Sequence, residues 1–218
     1  MTPPAPPQRR SAESVRDTPT RILDAAELLF VDRGYAATSV RAIAERAGVN
    51  LGAAHYHFGS KQALFGAVVE RCFAPIQEQR NRALDALLAQ SSQPSVREIV
   101  EAFLVPLSAS PAAEAPRLIA RLFGEPTSIS QPLIEAQFGP SFERFTEAFQ
   151  RALPELEPTE IRWRFHFAIG AMVHTLATAG PISAPSVSRH DAIDRLTAFA
   201  TAGFITPPDT PRAQEKIT

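Results

Sequence analysis

TSVRAIAERAGVNLGAAHYHF, residues 38–58, is the stretch from which the rest of the chain is read. Val40, Ile43, Ala44 and Ala47 recur at three- and four-residue steps, the period of a short amphipathic helix opened by Thr38-Ser39. Gly48 follows where the chain must turn sharply, and a residue without Cβ tolerates the positive φ needed there. Val49 is an apolar plug beneath the turn. Asn50 can accept a hydrogen bond from the free N–H groups of a second helix, expected over Leu51–Phe58. Ala44 is small enough for that helix to pack close across the first. Two short crossed helices of this kind form a helix-turn-helix, whose second helix is short enough to lie in a DNA major groove.

Upstream, Ile22, Leu23, Ala26, Leu29 and Phe30 form one stripe of a helix expected over about 20–33, stopped by Gly34. Downstream, Ser60 caps a long helix from Lys61 in which Leu64, Phe65, Val68, Val69, Cys72 and Phe73 share a face. Pro75 is expected to kink or break it before it continues from Ile76 to Ala89. Further helices are expected near 95–108, 115–124, 131–152, 158–179 and 189–203. The Pro- and Ser-rich loops 91–94, 108–111, 125–130 and 180–188 separate them. No alternating β-branched run bounded by hairpin turns occurs. The expected fold is all-α with about nine helices. Its organisation is a Pro-rich disordered arm (1–18), a three-helix helix-turn-helix domain (19–65), a helical ligand-binding and dimerisation domain (66–205) and a disordered tail (206–218).

Charge is balanced overall, at −1. Residues 1–75 hold nine Lys/Arg against seven Asp/Glu, and residues 76–218 hold thirteen against sixteen, so +2 faces −3. The sign suits a front end that meets nucleic acid through local charge, not bulk attraction. The single cysteine, Cys72, forms no intrachain disulfide and, within an apolar stripe, reads as a small buried hydrophobe. No run of 18 apolar residues suggests a membrane span, and the N-terminal arm lacks the apolar core of a secretion signal. A cytoplasmic protein is expected. GxSxG, HExxH, P-loop and GxGxxG patterns are all missing, so no enzyme and no cofactor are expected. His55 and His57 lack a third ligand at metal-site spacing, so no metal is expected either.

The run RILDAAELLFVDRGYAATSVRAIAERAGVNLGAAHYHFGSKQALFGAVVE, residues 21–70, resembles the DNA-binding domain of the TetR/AcrR family, down to its closing His55-Tyr56-His57-Phe58-Gly59-Ser60-Lys61. The resemblance implies that Asn50, Leu51, Gly52 and Ala53 face base edges of double-stranded DNA. It implies that His55, Tyr56 and His57 approach phosphates and the groove wall, that Lys61 holds a phosphate, and that Arg41 is a further contact. Leu51-Gly52-Ala53-Ala54 offers few groups to a base, so specificity would rest on Asn50, Arg41, thymine-methyl contacts and DNA shape. The same resemblance implies a homodimer through the last two long helices, a near-palindromic operator, and release from it by an apolar small-molecule effector. The candidate effector-binding residues are Phe103, Arg121, Phe138, Phe142, Trp163 and His166. VNLGAAHYHFGSKQALF with Phe73-Ala74-Pro75 is similar to the fatty-acid-responsive PsrA-like branch, which makes a fatty acid or an acyl thioester a candidate effector. Arg9, Arg10 and Arg16 could form a minor-groove arm or merely keep the tail in solution.

Overall fold

A computed structural model describes residues 18–108, 115–178 and 188–207. Among these residues there are nine α-helices and no strand. In chain order they are α1 (Thr18–Ala37), α2 (Val40–Ala47), α3 (Leu51–Phe58), α4 (Lys61–Gln90), α5 (Val96–Leu104), α6 (Ala115–Gly124), α7 (Thr127–Ala152), α8 (Pro158–Thr178) and α9 (Arg189–Ile205), with a 3-10 turn over Val105–Leu107. The all-α expectation therefore holds. The arm through residue 17, with its three arginines, and the tail from 208 lie outside the described residues, as does most of the loop 180–188. No described helix is long and apolar enough to cross a membrane.

Two boundaries differ from the expected ones. At Gly34 (φ 79°, ψ 173°) the first helix is interrupted as expected, by a backbone state that favours glycine, and one further turn of α1 follows to Ala37. α4 continues through Pro75 without a break. α7 begins at Thr127, so the Ser- and Pro-rich stretch expected as a loop is instead its first turns. The first four N–H groups of a helix have no intrahelical partner, and proline sacrifices nothing near that end. Ser130 adds hydroxyl contacts to the carbonyls of Pro126 and Glu125 at 3.3 and 3.4 Å.

The chain divides into two units. The first holds the described residues up to Ala74 together with Arg117–Gln137. Its core is Ile22, Ala26, Phe30, Ile43, Leu64, Phe65 and Val68, all essentially sealed from water. Phe30 and Phe65 meet edge to face at 4.8 Å, and Tyr35 lies 5.2 Å from Phe65. Each such phenyl contributes about 1.5–3 kcal/mol by leaving water. Arg71 ties α4 to α1 through Asp24, at 2.7 Å, and through Glu27. Cys72 is buried beside them, and burial pushes its thiol up to about 12, the behaviour of a packing residue.

Within the same unit α6 secures the end of α1. Arg121 donates from Nε to the Val31 carbonyl at 3.2 Å and from Nη2 to the Asp32 carbonyl at 3.1 Å. Glu125 accepts from the Tyr35 N–H at 2.8 Å. A Cβ on Gly34 would lie 3.2 Å from that carboxylate. The kink at Gly34 thus frees carbonyls and an N–H that side chains ninety positions later satisfy. Thr38, itself buried, adds hydroxyl bonds to Gly34 O at 2.8 Å and Leu29 O at 3.2 Å.

The second unit holds Pro75–Pro116 and the described residues from Phe138 onward. α5 starts with a capping box: Ser95 Oγ accepts from Glu98 N at 3.3 Å, and Glu98 accepts from Ser95 N at 2.8 Å. The centre is a stack of phenyl rings. Phe165 of α8 meets Phe103, Phe142 and Phe149 at 4.9, 4.9 and 5.4 Å, and Phe149 stacks on Phe204 of α9 at 4.0 Å. Arg164 bonds Glu160 at 2.7 Å and donates to the carbonyls of Phe204 and Thr206, both at 2.6 Å, closing the end of α9.

Candidate nucleic-acid interface

Local chemistry builds α2, the turn and α3 in sequence. Ser39 opens α2 by accepting from Ala42 N at 3.1 Å. The helix ends at Gly48, φ 64° and ψ 35°, whose N–H reaches Glu45 O at 3.1 Å while Val49 N reaches Ala44 O at 3.0 Å. This pair of bonds is a Schellman closure, and it throws the chain into a new direction within two residues. Asn50 then caps α3, its Oδ1 accepting from Ala53 N at 2.7 Å. A Cβ on Gly52 would sit 3.3 Å from that oxygen, so glycine there leaves room for the cap.

Arg21 of α1 locks the turn by donating to Ala47 O and, at 3.1 Å, to Gly48 O. A Cβ on Gly48 would lie 2.8 Å from the same guanidinium nitrogen. Gly48→Ala should therefore cost about 1–2 kcal/mol for the left-handed conformation alone. It should also displace Arg21. The loss is read from the urea midpoint; an unchanged midpoint would show that the turn adapts freely.

α3 rests on one face only. Ala54 is sealed, Ala53 and Phe58 are half-buried, and Asn50, Leu51, Gly52, His55, Tyr56 and His57 are exposed. Tyr56 is 86% exposed, which is unusual for a tyrosine with a free choice of core. Its ring meets His57 edge-on at 5.1 Å, and the His55 Nδ1 donates to Gly59 O at 3.1 Å, fixing that ring at the helix end. Ser60 caps α4 through Ala63 N at 3.1 Å. Lys61 is half-buried: its ammonium lies 4.2 Å over the Tyr35 ring and donates to Ala36 O at 3.3 Å. Desolvation lowers its pKa, with Glu125 opposing the fall. Arg41, on α2, is exposed and bonds Glu45 through Nε at 3.0 Å.

From Arg46 to Val69 the chain contains no carboxylate. The exposed face of α3 and the start of α4 consequently carry only amide, hydroxyl, imidazole and ammonium groups, a composition compatible with a polyanion. All nine residues expected to meet DNA stand exposed or half-exposed in the first unit. Arg21 was not legible as part of this site, since nothing local connects it to a turn twenty-six residues later.

The residues expected around an effector are divided between the two units. Arg121 belongs to the first unit, where it holds the end of α1 through bonds to carbonyls. Phe103 and Phe142 are in the phenyl stack of the second unit, with Phe138 half-buried one turn before Phe142. Trp163 and His166 are exposed on α8, their rings 5.8 Å apart.

Two family models match the chain: one described as bacterial regulatory proteins, tetR family, over residues 22–68, and one described as tetracyclin repressor-like, C-terminal domain, over residues 101–203. An HTH-type transcriptional repressor of Mycobacterium tuberculosis is 45% identical over 69 residues, 32% of this chain and 37% of that protein. The HTH-type transcriptional activator FasR of Mycolicibacterium smegmatis is 32% identical over 146 residues, 66% of this chain and 63% of its own length. The match thus spans less than two thirds of either relative. Among solved structures, the TetR family transcriptional regulator PfmR of Thermus thermophilus superposes with a TM-score of 0.56 at 17% identity, covering 84% of this chain and 97% of that one. At that identity the likeness concerns the fold.

Proposed function

The chain belongs to the tetR family of bacterial regulatory proteins, and on that premise we propose that it is a homodimeric repressor of transcription. It binds a near-palindromic operator through α3 and leaves it when a small molecule occupies the second unit. The observation that carries this reading is the outward face of α3, where Tyr56 stands almost wholly in solvent while Ala54 anchors the helix beneath it. A side chain of that size left uncovered on a capped, rigid helix suits a partner with a groove and a charged wall. Asn50, Leu51, Gly52 and Ala53 supply base-edge and methyl contacts. His55, Tyr56, His57, Lys61 and Arg41 supply phosphate contacts.

The test is a gel shift with DNA flanking the protein's own gene across a salt series. A protein that neutralises several phosphates loses affinity steeply, with a log–log slope of about −0.9 per phosphate. Binding that is flat with salt, or absent, would sink the reading.

Dimerisation is supported by apolar side chains left in water on the last two helices. Trp163 and Phe167 on α8 stack at 5.7 Å, and both are more than half exposed, as are Phe199 and Ile205 on α9. Exposed apolar side chains of this kind on two helices are what an interface between copies covers. Two-fold pairing presents two recognition helices about 34 Å apart, one turn of DNA. Phe167→Asp with Phe199→Asp should convert a micromolar dimer to monomer, read by light scattering during gel filtration. A double variant that stays dimeric would place the interface elsewhere.

The effector acts through differential affinity: a ligand that prefers the conformation unable to bind DNA lowers operator occupancy by that preference and no more. The phenyl stack around Phe103, Phe142 and Phe165 supports an apolar body for that ligand.

A further inference from the structure

We propose that Arg80 of α4 is the anion-binding element of the effector site and that the effector is a monocarboxylate with an apolar body. The proposal rests on the reading that the second unit houses an effector. Arg80 is 3% exposed. Its guanidinium carbon lies 3.7 Å from the centroid of the Phe103 ring. Nε donates to Phe103 O at 2.7 Å, Nη1 to Gln77 Oε1 at 3.0 Å, and Nη2 faces the thioether of Met172 at 3.5 Å. Every one of these partners is neutral, and a thioether is among the weakest acceptors a protein offers. A guanidinium has five N–H donors, so two remain unused among the described residues. Burial pushes its pKa down to about 9, with no acid opposing the fall, so the group is still charged at neutral pH.

Elsewhere in the same unit arginines are treated differently. Arg164, nearly as enclosed, has Glu160 and the carbonyls that end α9. Arg144 has Asp85 and Asn81. Buried charges are normally paired because removing one from water without a counter-ion is costly. Arg80 is charged, buried and unpaired among the described residues, in a unit where the enclosed Arg164 is paired with Glu160.

A second observation lies one helix away. Phe103 touches Phe145 of α7 at 5.2 Å. Ser141, one turn before Phe145 on the same face, is buried, and its hydroxyl has no hydrogen-bond partner. The usual back-bond is available on this helix, since Thr146 makes it to Phe142 O at 2.8 Å. The unspent guanidinium fork suits one charged oxygen-bearing group, and the phenyl rings beside it, with the unspent Ser141 hydroxyl one turn from Phe145, suit the body of the same ligand. The planar fork fits a carboxylate through two parallel bonds. A single cation balances one negative charge, so a monoanion is favoured over a phosphate dianion.

An alkyl and an aryl carboxylate share this chemistry, and the experiment separates them. The full-length protein and its R80M and R80K variants are titrated by calorimetry with dodecanoate and with 2-naphthoate, and in parallel with dodecanol and 2-naphthalenemethanol. The expected result is that one acid binds the wild type at least about tenfold more tightly than its alcohol, the range of one charge-assisted pair. R80M should melt at the same or a higher temperature, because removing a buried unpaired charge does not destabilise. Its affinity for that acid should fall at least about tenfold, with the alcohol unaffected. R80K, which keeps the charge and loses the fork, should fall between them. Failure of both acids to bind the wild type, or equal binding by wild type and R80M, overturns the proposal, as does R80M melting well below wild type while R80K binds the acid normally. Operator binding without any acid is scored separately. A wild type that binds its operator and is released only by neutral compounds keeps the regulator reading and overturns this one.

Discussion

Operator binding is expected to fall at least about a hundredfold when Tyr56 and Lys61 are both replaced by alanine, because each replacement removes a proposed bond to a charged phosphate worth about 1.5–3 kcal/mol, and 1.4 kcal/mol is tenfold. In the proposed dimer the loss applies to both half-sites, so the figure is a lower bound. Tyr56 is almost wholly in water, and truncating it leaves the core untouched. Lys61 also packs on Tyr35 and bonds Ala36 O, so a Lys61→Gln companion separates lost charge from lost packing. The variant should keep its helical circular dichroism and its dimer. It should also show a shallower salt slope, since fewer phosphates are neutralised. Wild-type affinity in the folded double variant would remove α3 and the start of α4 from the interface.

The second large effect concerns stability. Phe165→Ala should cost about 3–5 kcal/mol, the range for a large aromatic deleted from a packed interior. The ring is 1% exposed and faces Phe103, Phe142, Phe145 and Phe149, so the space it vacates is walled by rings on two other helices that cannot all close inward. Native domains have only about 5–15 kcal/mol to lose. The urea midpoint should fall accordingly, and Phe165→Leu, which fills part of the void, should fall less. A shift under about 1 kcal/mol in Phe165→Ala would mean the stack is loosely packed.

What could be read from sequence follows the range of the interactions concerned. α3 spans Leu51–Phe58 as expected because both its ends are decided within a few residues, by Asn50 on one side and Gly59 on the other. α6 likewise ends at Gly124. α7 starts earlier than expected because Pro126 and the serines of 125–130 read as a loop, although a proline immediately before the helix start gives up no intrahelical bond. The exposure of the residues proposed to face DNA accords with the family motif that they resemble.

Arg121 and Arg80 were not legible in their roles. Arg121 sits in an apolar run and was expected near a ligand, but its bonds go to carbonyls some ninety positions earlier, a distance at which no local pattern carries information. Arg80 lies in the polar run QEQRNR, residues 77–82, which reads as a solvated face. The available signal was periodicity: Arg80 is four residues from both Ile76 and Leu84, two fully buried positions, and so falls in the apolar stripe of α4.

Arg121 and Glu125 also bear on how this molecule can be cut and rejoined. A graft that transplants only residues 18–74 onto a foreign body abandons the side chains that hold Val31, Asp32 and Tyr35, and hands those backbone groups to water. A chimera meant to keep the operator preference of this chain must therefore inherit residues 117–137 as well. The portable module is discontinuous, and its limits fall within α4, α6 and α7 instead of in a linker.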